Sequence, residues 1–285
     1  MNDLRSGLIL SALLACPALT AGAAEAASTA VLAASMKEAQ RSSGFEARMS
    51  VSTAVAGVPH SLKIAVVGQF TAERERLLIR GISPAEIRNR YVAAERSADG
   101  RITAIAYGEN FAADHAEADP FAKLFGSELV LWDMFGAWWD WPRQTQGDME
   151  ASGGRDCIPV RSVSDAATAQ IREVQSCVDP DGRLALKTQL YGSHHMLLRT
   201  ISVEKTMRKD SGLKAAKRLT VAGAGASVSE IEVYSGDEHY AVPADTFARL
   251  EFALTAGKSK HPFNGEVSGI KRHLWSFLLF ATLRK

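Results

Sequence analysis

Long hydrophobic runs are missing from this chain. The most apolar stretches, 7–15 and 274–283, hold nine and ten residues, about half of the ~20 that a membrane-spanning helix needs. A surplus of charge is missing too: 33 Lys and Arg stand against 32 Asp and Glu, a net charge of +1, so nothing in the balance argues for nucleic acid as a partner. Cysteine is scarce, three in 285 residues. There is no C-x-x-C, and the adjacent His194 and His195 would point to opposite faces of a strand, so no zinc site is spelled out. Enzyme motifs fail on particular residues. Gly223-Ala224-Gly225 begins like a dinucleotide fingerprint, but Val228 stands where the third glycine belongs; Gly257-Lys258-Ser259 resembles a phosphate loop until Phe252 replaces its leading glycine. Neither a G-x-S-x-G elbow nor an H-E-x-x-H pair occurs. Catalytic groups can still be assembled in space, but the sequence points to no enzyme, no metal and no cofactor.

What is present begins with an export signal. Arg5 precedes the apolar run 7–15, and Ala21-Gly22-Ala23 or Ala24-Glu25-Ala26 supplies the small-x-small pattern of a cleavage site, so 1–26 reads as a cleaved signal peptide. Leu13-Leu14-Ala15-Cys16 also resembles a lipobox, which would make a lipidated Cys16 the first residue, although Leu at its second position and Pro17 fit that pattern poorly. Export decides how the other two cysteines are read. Cys157 and Cys177 are an even number in an oxidising compartment, where a disulfide is the default. Closing a loop of about 20 residues between two successive strands, it should contribute about 3 kcal/mol.

The remaining pattern is mostly β. Residues 28–40 form one amphipathic helix, with Val31, Leu32, Ser35, Met36 and Ala39 on one face and Ser28 or Thr29 as cap. From Phe45 the period changes to two, with Phe45, Ala47, Met49, Val51 and Thr53 alternating with polar residues. Strands are expected at 45–53, 62–70, 74–81, 88–96, 101–107, 155–163, 169–179, 184–191, 197–206, 215–222 and 228–234, joined by turns such as Asp99-Gly100 and Asp179-Pro180-Asp181-Gly182. Ten or eleven strands linked by short turns make an antiparallel sheet. Residues 110–119 carry Asp114, His115, Glu117 and Asp119 without periodicity, and read as an exposed loop rather than a metal site.

Between the two groups of strands lies 121–142, F-A-K-L-F-G-S-E-L-V-L-W-D-M-F-G-A-W-W-D-W-P, which holds four of the five tryptophans. Aromatics in such density either bury a large apolar area as a corner of the core or line an apolar pocket. If the segment is extended, Trp138 and Trp139 face opposite ways; if helical, Trp132, Phe135 and Trp139 share a face with Leu131 and Leu124 nearby.

The order of elements resembles the bacterial outer-membrane lipoprotein-sorting family (LolA-like) over about 28–250. The likeness rests on a leader, one helix, meandering strands, the mid-chain Leu124, Gly126, Ser127 and Glu128, the pair Gly154-Arg155 entering the next strand, and Asp179-Pro180-Asp181-Gly182 before the following hairpin. The resemblance implies an α+β, mostly β fold: a curved antiparallel half-barrel with an N-terminal helix, and helical or loop lid elements over an apolar cavity. It further implies a periplasmic, non-enzymatic carrier of lipid or lipoprotein acyl chains, with a membrane surface or an inner-membrane exporter as the further partner. In that setting Leu124, Leu131, Trp132, Phe135, Trp138, Trp139 and Trp141 become candidates to line the cavity. The arginine that such carriers use cannot be placed in this chain. A sensor or protein-interaction module on the same half-barrel is the alternative.

After the carrier-like domain, 27–250, comes an extension, 251–285. Between Thr255 and Lys285 six Lys or Arg accompany Glu266 alone, and they flank 274–283, L-W-S-F-L-L-F-A-T-L. Trp275, Phe277 and Leu279 alternate as a final strand would, while the basic flanks suit an anionic membrane surface.

Overall fold

Fourteen strands form one antiparallel sheet in the computed structural model, which describes residues 18–55, 58–108, 115–166, 169–181, 183–209 and 212–248. They are β1 (Ser42–Val55), β2 (Val58–Phe70), β3 (Glu75–Ser83), β4 (Tyr91–Arg96), β5 (Ile102–Tyr107), β6 (His115–Ala118), β7 (Arg143–Gln146), β8 (Glu150–Ser152), β9 (Arg155–Val163), β10 (Glu173–Val178), β11 (Ala185–Tyr191), β12 (Leu197–Arg208), β13 (Lys214–Gly223) and β14 (Val228–Asp237). Across the sheet the order is β6-β5-β4-β3-β2-β1-β14-β13-β12-β11-β10-β9-β7, with β8 beside β9. Two meanders are therefore joined where β1 meets β14, from Thr53↔Ser229 to Glu46↔Asp237, with an irregularity between Arg48 and Met49. The sheet is open, ending at β6 on one side and at β7 and β8 on the other.

Alternation along the strands puts one apolar row inside. In β3 Leu77 and Ile79 are buried while Arg76, Leu78 and Arg80 are half-buried on the other face, and β2 buries Leu62, Ile64, Val66 and Phe70. Among the described residues two α-helices accompany the sheet: α1 (Ala18–Gln40) and the short α2 (Leu131–Phe135) within the tryptophan segment. One set of buried residues from 121–142 packs on β1 to β5, and another packs on α1 and β9 to β11. A sheet that meets both sides of one segment is curved around it.

The expectations need four corrections. Fourteen strands replace ten or eleven, because β6, β7 and β8 are only four, four and three residues long and show too few alternations to be legible; backbone pairing with β5 and β9 defines them. The stretch expected as a loop thus contains β6. The helix begins at Ala18 rather than Ser28, as the alanine-rich sequence that precedes Ser28 favours; the expected cleavage positions fall within it. Its inner face is Thr29, Ala33 and Met36, spaced by four and three, whereas Val31 is 70% exposed. The expected face was rotated because Lys37 has to reach acidic partners on the sheet side, and because an alanine, smaller than leucine, lets the indoles approach.

Cys157 on β9 and Cys177 on β10 form the expected disulfide, with their Cα atoms 5.3 Å apart. Both are buried with Leu186. No helix among the described residues is long and apolar enough to cross a membrane. The apolar leader run, Cys16 and the extension 251–285 lie outside the described residues.

Candidate functional site

Segment 121–142 is built from its own turn outward. Leu124 N donates to Leu129 O at 2.8 Å and Ser127 N to Leu124 O at 3.0 Å, closing a tight loop in which Phe125 and Gly126 have φ of +51° and +79°. Ser127 serves the loop twice, donating through Oγ to Leu124 O at 2.7 Å and accepting from Leu129 N at 3.3 Å. Glu128 then clamps the loop to the β13–β14 hairpin. Its N–H donates to Ser229 Oγ at 2.9 Å, and its carboxylate accepts from Ser227 Oγ at 2.5 Å and pairs with Lys123. Gly223 leaves room for this carboxylate, since a Cβ there would lie 2.5 Å from Oε2. The L-F-G-S-E-L motif is thus a structural clamp.

After the clamp the chain enters α2 at Leu131 and stops at Gly136, whose φ of +56° is a left-handed C-cap. A 3-10 turn, Ala137–Asp140, follows. This break separates side chains that a continuous helix would have aligned. Leu124, Leu131 and Phe135 join the aliphatic core of β1 to β5, with Phe135 stacked on Phe70 at 5.7 Å. Trp132, Trp138 and Trp139 turn the other way, onto Ala33 and Met36 of α1 and onto Val160, Val174 and Leu190 of β9 to β11. Their rings stack on one another, Trp132 at 5.5 Å from Trp138 and at 5.7 Å from Phe121. The helical face that would have joined Trp132, Phe135 and Trp139 is therefore divided between two clusters. Trp141 is half-buried at the edge of the second, 6.2 Å from Trp132.

Ionic contacts hold the segment at two places. Arg199 of β12 grips Asp133 of α2 with two parallel bonds, Nε to Oδ2 at 2.9 Å and NH2 to Oδ1 at 2.8 Å, both side chains being at least nine-tenths buried. Burial pushes the Asp133 carboxyl up from its ordinary value, against the pull of Arg199. At the other end Lys37 of α1 contacts Glu75 at 2.6 Å and Asp140 at 3.2 Å, while Arg96 contacts the same two carboxylates at 3.0 and 2.6 Å. Two cations and two anions from α1, β3, β4 and the 3-10 turn alternate in this arrangement. None of these partners was evident from spacing, because 66 residues separate Asp133 from Arg199.

Between α1 and 139–144 runs a groove of about 570 Å³, within the size range of small-molecule sites. Ala30, Ala33 and Ala34 form one wall and Trp139, Trp141 and Pro142 the other, while Lys37, Glu38, Arg41, Asp140 and Gln144 make the rest of the lining polar and charged. Of the seven cavity candidates, Trp139 and Trp141 line this groove; the other five are packed as core. The alanine wall was missed because small residues carry little hydrophobic signal. Among the described residues no group of three or more His, Cys, Asp or Glu could hold a metal ion.

No protein-family model matches the chain. No curated protein matches it by sequence. Solved structures do. A protein of the DUF1329 family from Desulfovibrio piger superposes with a TM-score of 0.70 at 16% identity, over 78% of this chain and 96% of that one. An outer membrane lipoprotein-sorting protein domain from Vibrio parahaemolyticus gives 0.69 at 12% identity, over 79% and 98%. A LolA superfamily protein from Nitrosomonas europaea gives 0.61 at 14% identity, over 77% and 96%. The chain has the LolA-like fold.

Proposed function

We propose that this protein is a non-enzymatic periplasmic binder of lipid or lipoprotein acyl chains that takes part in sorting them toward the outer membrane. The observation that carries the reading is the division of segment 121–142: one side is anchored in aliphatic core, while the other presents stacked indoles beside a groove walled by alanines of α1. The alanine and indole walls of the groove suit a methylene chain, of which each buried CH₂ contributes about 0.8 kcal/mol, and the charged part of its lining, Lys37 and Arg41 among it, suits a polar head. The disulfide between β9 and β10 supports an oxidising location. The LolA-like fold supports a carrier, and an inner-membrane exporter is the donor such a carrier would need. In this reading 1–26 is removed as a signal peptide, or cleavage before a lipidated Cys16 replaces it.

The test is extraction of the purified mature protein with organic solvent and mass spectrometry of what comes out. Co-purified phospholipid, fatty acid or acylated peptide is the expected result, together with a change in tryptophan fluorescence when lysophospholipid is added. An empty extract and an unchanged spectrum sink the proposal. They would leave the sensor or interaction reading, which the edge strand β6 favours: among the described residues it pairs with β5 alone and could add a partner's strand.

A further inference from the structure

The two ends of the sheet differ in the chemistry of their turns. Pairing registers place the β1–β2, β13–β14 and β11–β12 hairpins at the same end, and the strand order β2-β1-β14-β13-β12-β11 sets them side by side. At the opposite end the turns are polar, with Glu73 and Arg74 after β2, Asp99-Gly100 after β4, and Asp179 and Asp181 after β10. Turn positions ordinarily take such residues because they hydrogen-bond to the backbone and to water. The three neighbouring hairpins break this habit. Ala54, Val58 and Pro59 are exposed on the first, Ala224, Gly225, Ala226 and Val228 on the second, Met196 and Leu197 on the third.

The exposure is large where it counts. Val58 and Met196 are each 56% exposed, Val228 45% and Leu197 41%, so four of the seven large exposed hydrophobic side chains of the described residues lie on this one end. The first hairpin also projects. Its last partners on the neighbouring strands are Thr53↔Ser229 and Lys63↔Ser83, and the Val55↔Val58 pair lies beyond both, about 7 Å past the first along β1 and about 17 Å past the second along β2 at ~3.4 Å per residue.

Cations flank the base of the first hairpin: Lys63, Arg88 and Arg90 are exposed and enter no ion pair among the described residues. His60 is exposed on the same hairpin, and His194 and His195 on the third, where His195 lies 3.8 Å from Glu173. In the sequence of 54–63, 83–91, 191–198 and 222–228 the only acidic residue is Glu86; Glu128 and Glu173 reach the second and third hairpins from neighbouring elements, paired with Lys123 and Arg161. Apolar tips that enter the headgroup layer, flanked on one side by cations that stay above it, match an anionic phospholipid surface. A protein partner of the usual kind would meet a flatter face with fewer unmatched cations.

We infer that this end of the sheet is a membrane-docking rim, whose three hairpin tips insert shallowly into an anionic bilayer while Lys63, Arg88 and Arg90 contact lipid phosphates. The inference goes beyond the acyl-chain groove and does not depend on it, since the tips lie on the rim and the groove lies against α1. The experiment is co-sedimentation of the mature chain with vesicles of phosphatidylcholine mixed with phosphatidylglycerol, and with phosphatidylcholine alone. Binding to the mixed vesicles and much weaker binding to the neutral ones are expected. Replacing Arg88 and Arg90 by Ala should weaken binding about 5-fold per cation and about 25-fold together. A triple variant, Val58→Asp with Met196→Asp and Val228→Asp, should lose binding, while Met149→Asp with Tyr234→Asp, exposed apolar positions away from the rim, should keep it. All sites are exposed, and an unchanged melting temperature verifies the fold. Wild-type sedimentation by the triple variant would place the membrane contact elsewhere, for instance in 274–283, and overturn the rim. A wild-type dimer that ignores vesicles and is split by the triple variant would overturn it too, as an interface between copies of the chain.

Discussion

The two faces of segment 121–142 use apolar residues to opposite ends. Toward β1 to β5, Leu131 and Phe135 sit almost fully excluded from water among Ile64, Leu77 and Ile79, a cluster rich in branched aliphatics. Toward α1 and β9 to β11, three indoles pack on Ala33 and Met36 of the helix and on Val160, Val174 and Leu190 of the strands, and Trp139 also borders the groove. Branched aliphatics interlock and leave little room, whereas flat rings against alanine leave a slot along the helix. The first face holds the segment, and the second is the one that the proposed function assigns to an acyl chain.

Stability measurements should break this symmetry most sharply at Phe135. Phe135→Ala removes a side chain with no accessible surface and should cost about 3–5 kcal/mol, read as the midpoint of urea unfolding; a loss near zero would show that the aliphatic face does not anchor the segment. Next comes the buried pair. Asp133→Ala strands the Arg199 guanidinium and should also cost about 3–5 kcal/mol, while Asp133→Leu combined with Arg199→Met should recover most of it. If the double variant is as unstable as the single one, the pair is not where the cost arises. On the other side of the sheet, Cys157→Ser with Cys177→Ser should cost about 3 kcal/mol, and thiol titration of the unfolded mature wild type without reductant should find no free thiol.

Smaller effects sharpen the contrast. Trp139→Ala should weaken fatty-acid or lysophospholipid binding by about 1.5–3 kcal/mol, about 10- to 100-fold, with Leu131→Ala acting mainly on stability; equal affinity in folded Trp139→Ala and wild type would return that indole to the core. The smallest effect is on the acid limb. The hydrogen bond from Arg161 holds Glu173 below the usual carboxylate range, so its contribution is present at neutral pH and fades as pH falls through that lowered value. Asp133 has the opposite sign: its raised carboxyl takes up a proton earlier in the fold, which relieves its burial cost on acidification. Glu173→Gln should therefore flatten the fall of melting temperature toward acid pH, and an unchanged slope would remove Glu173 as its source.

Legibility followed the reach of the interactions. Strands such as β2 and β3 were visible because alternation over 13 and 9 residues is a local pattern, and the Asp99-Gly100 hairpin because a turn is a property of four neighbours. Tryptophan density marked the right segment, yet not its two faces, since Gly136 breaks the helix and reorients Trp138 and Trp139. Glu128 was noticed as part of a motif, but its partners, Ser227 and Ser229, lie about a hundred residues away.

The amino-acid sequence alone determined the mostly β class, eleven of the strands, the pairing of Cys157 with Cys177 and the aromatic segment on which both clusters rest. These follow from periodicity, turn chemistry and cysteine count, which act over short stretches of chain. Only the tertiary structure decided that β1 closes on β14, that α1 turns alanines rather than Val31 toward the indoles, and that Arg199 meets Asp133. Each of those contacts joins residues far apart in sequence, and burial selects among partners that local pattern leaves equivalent.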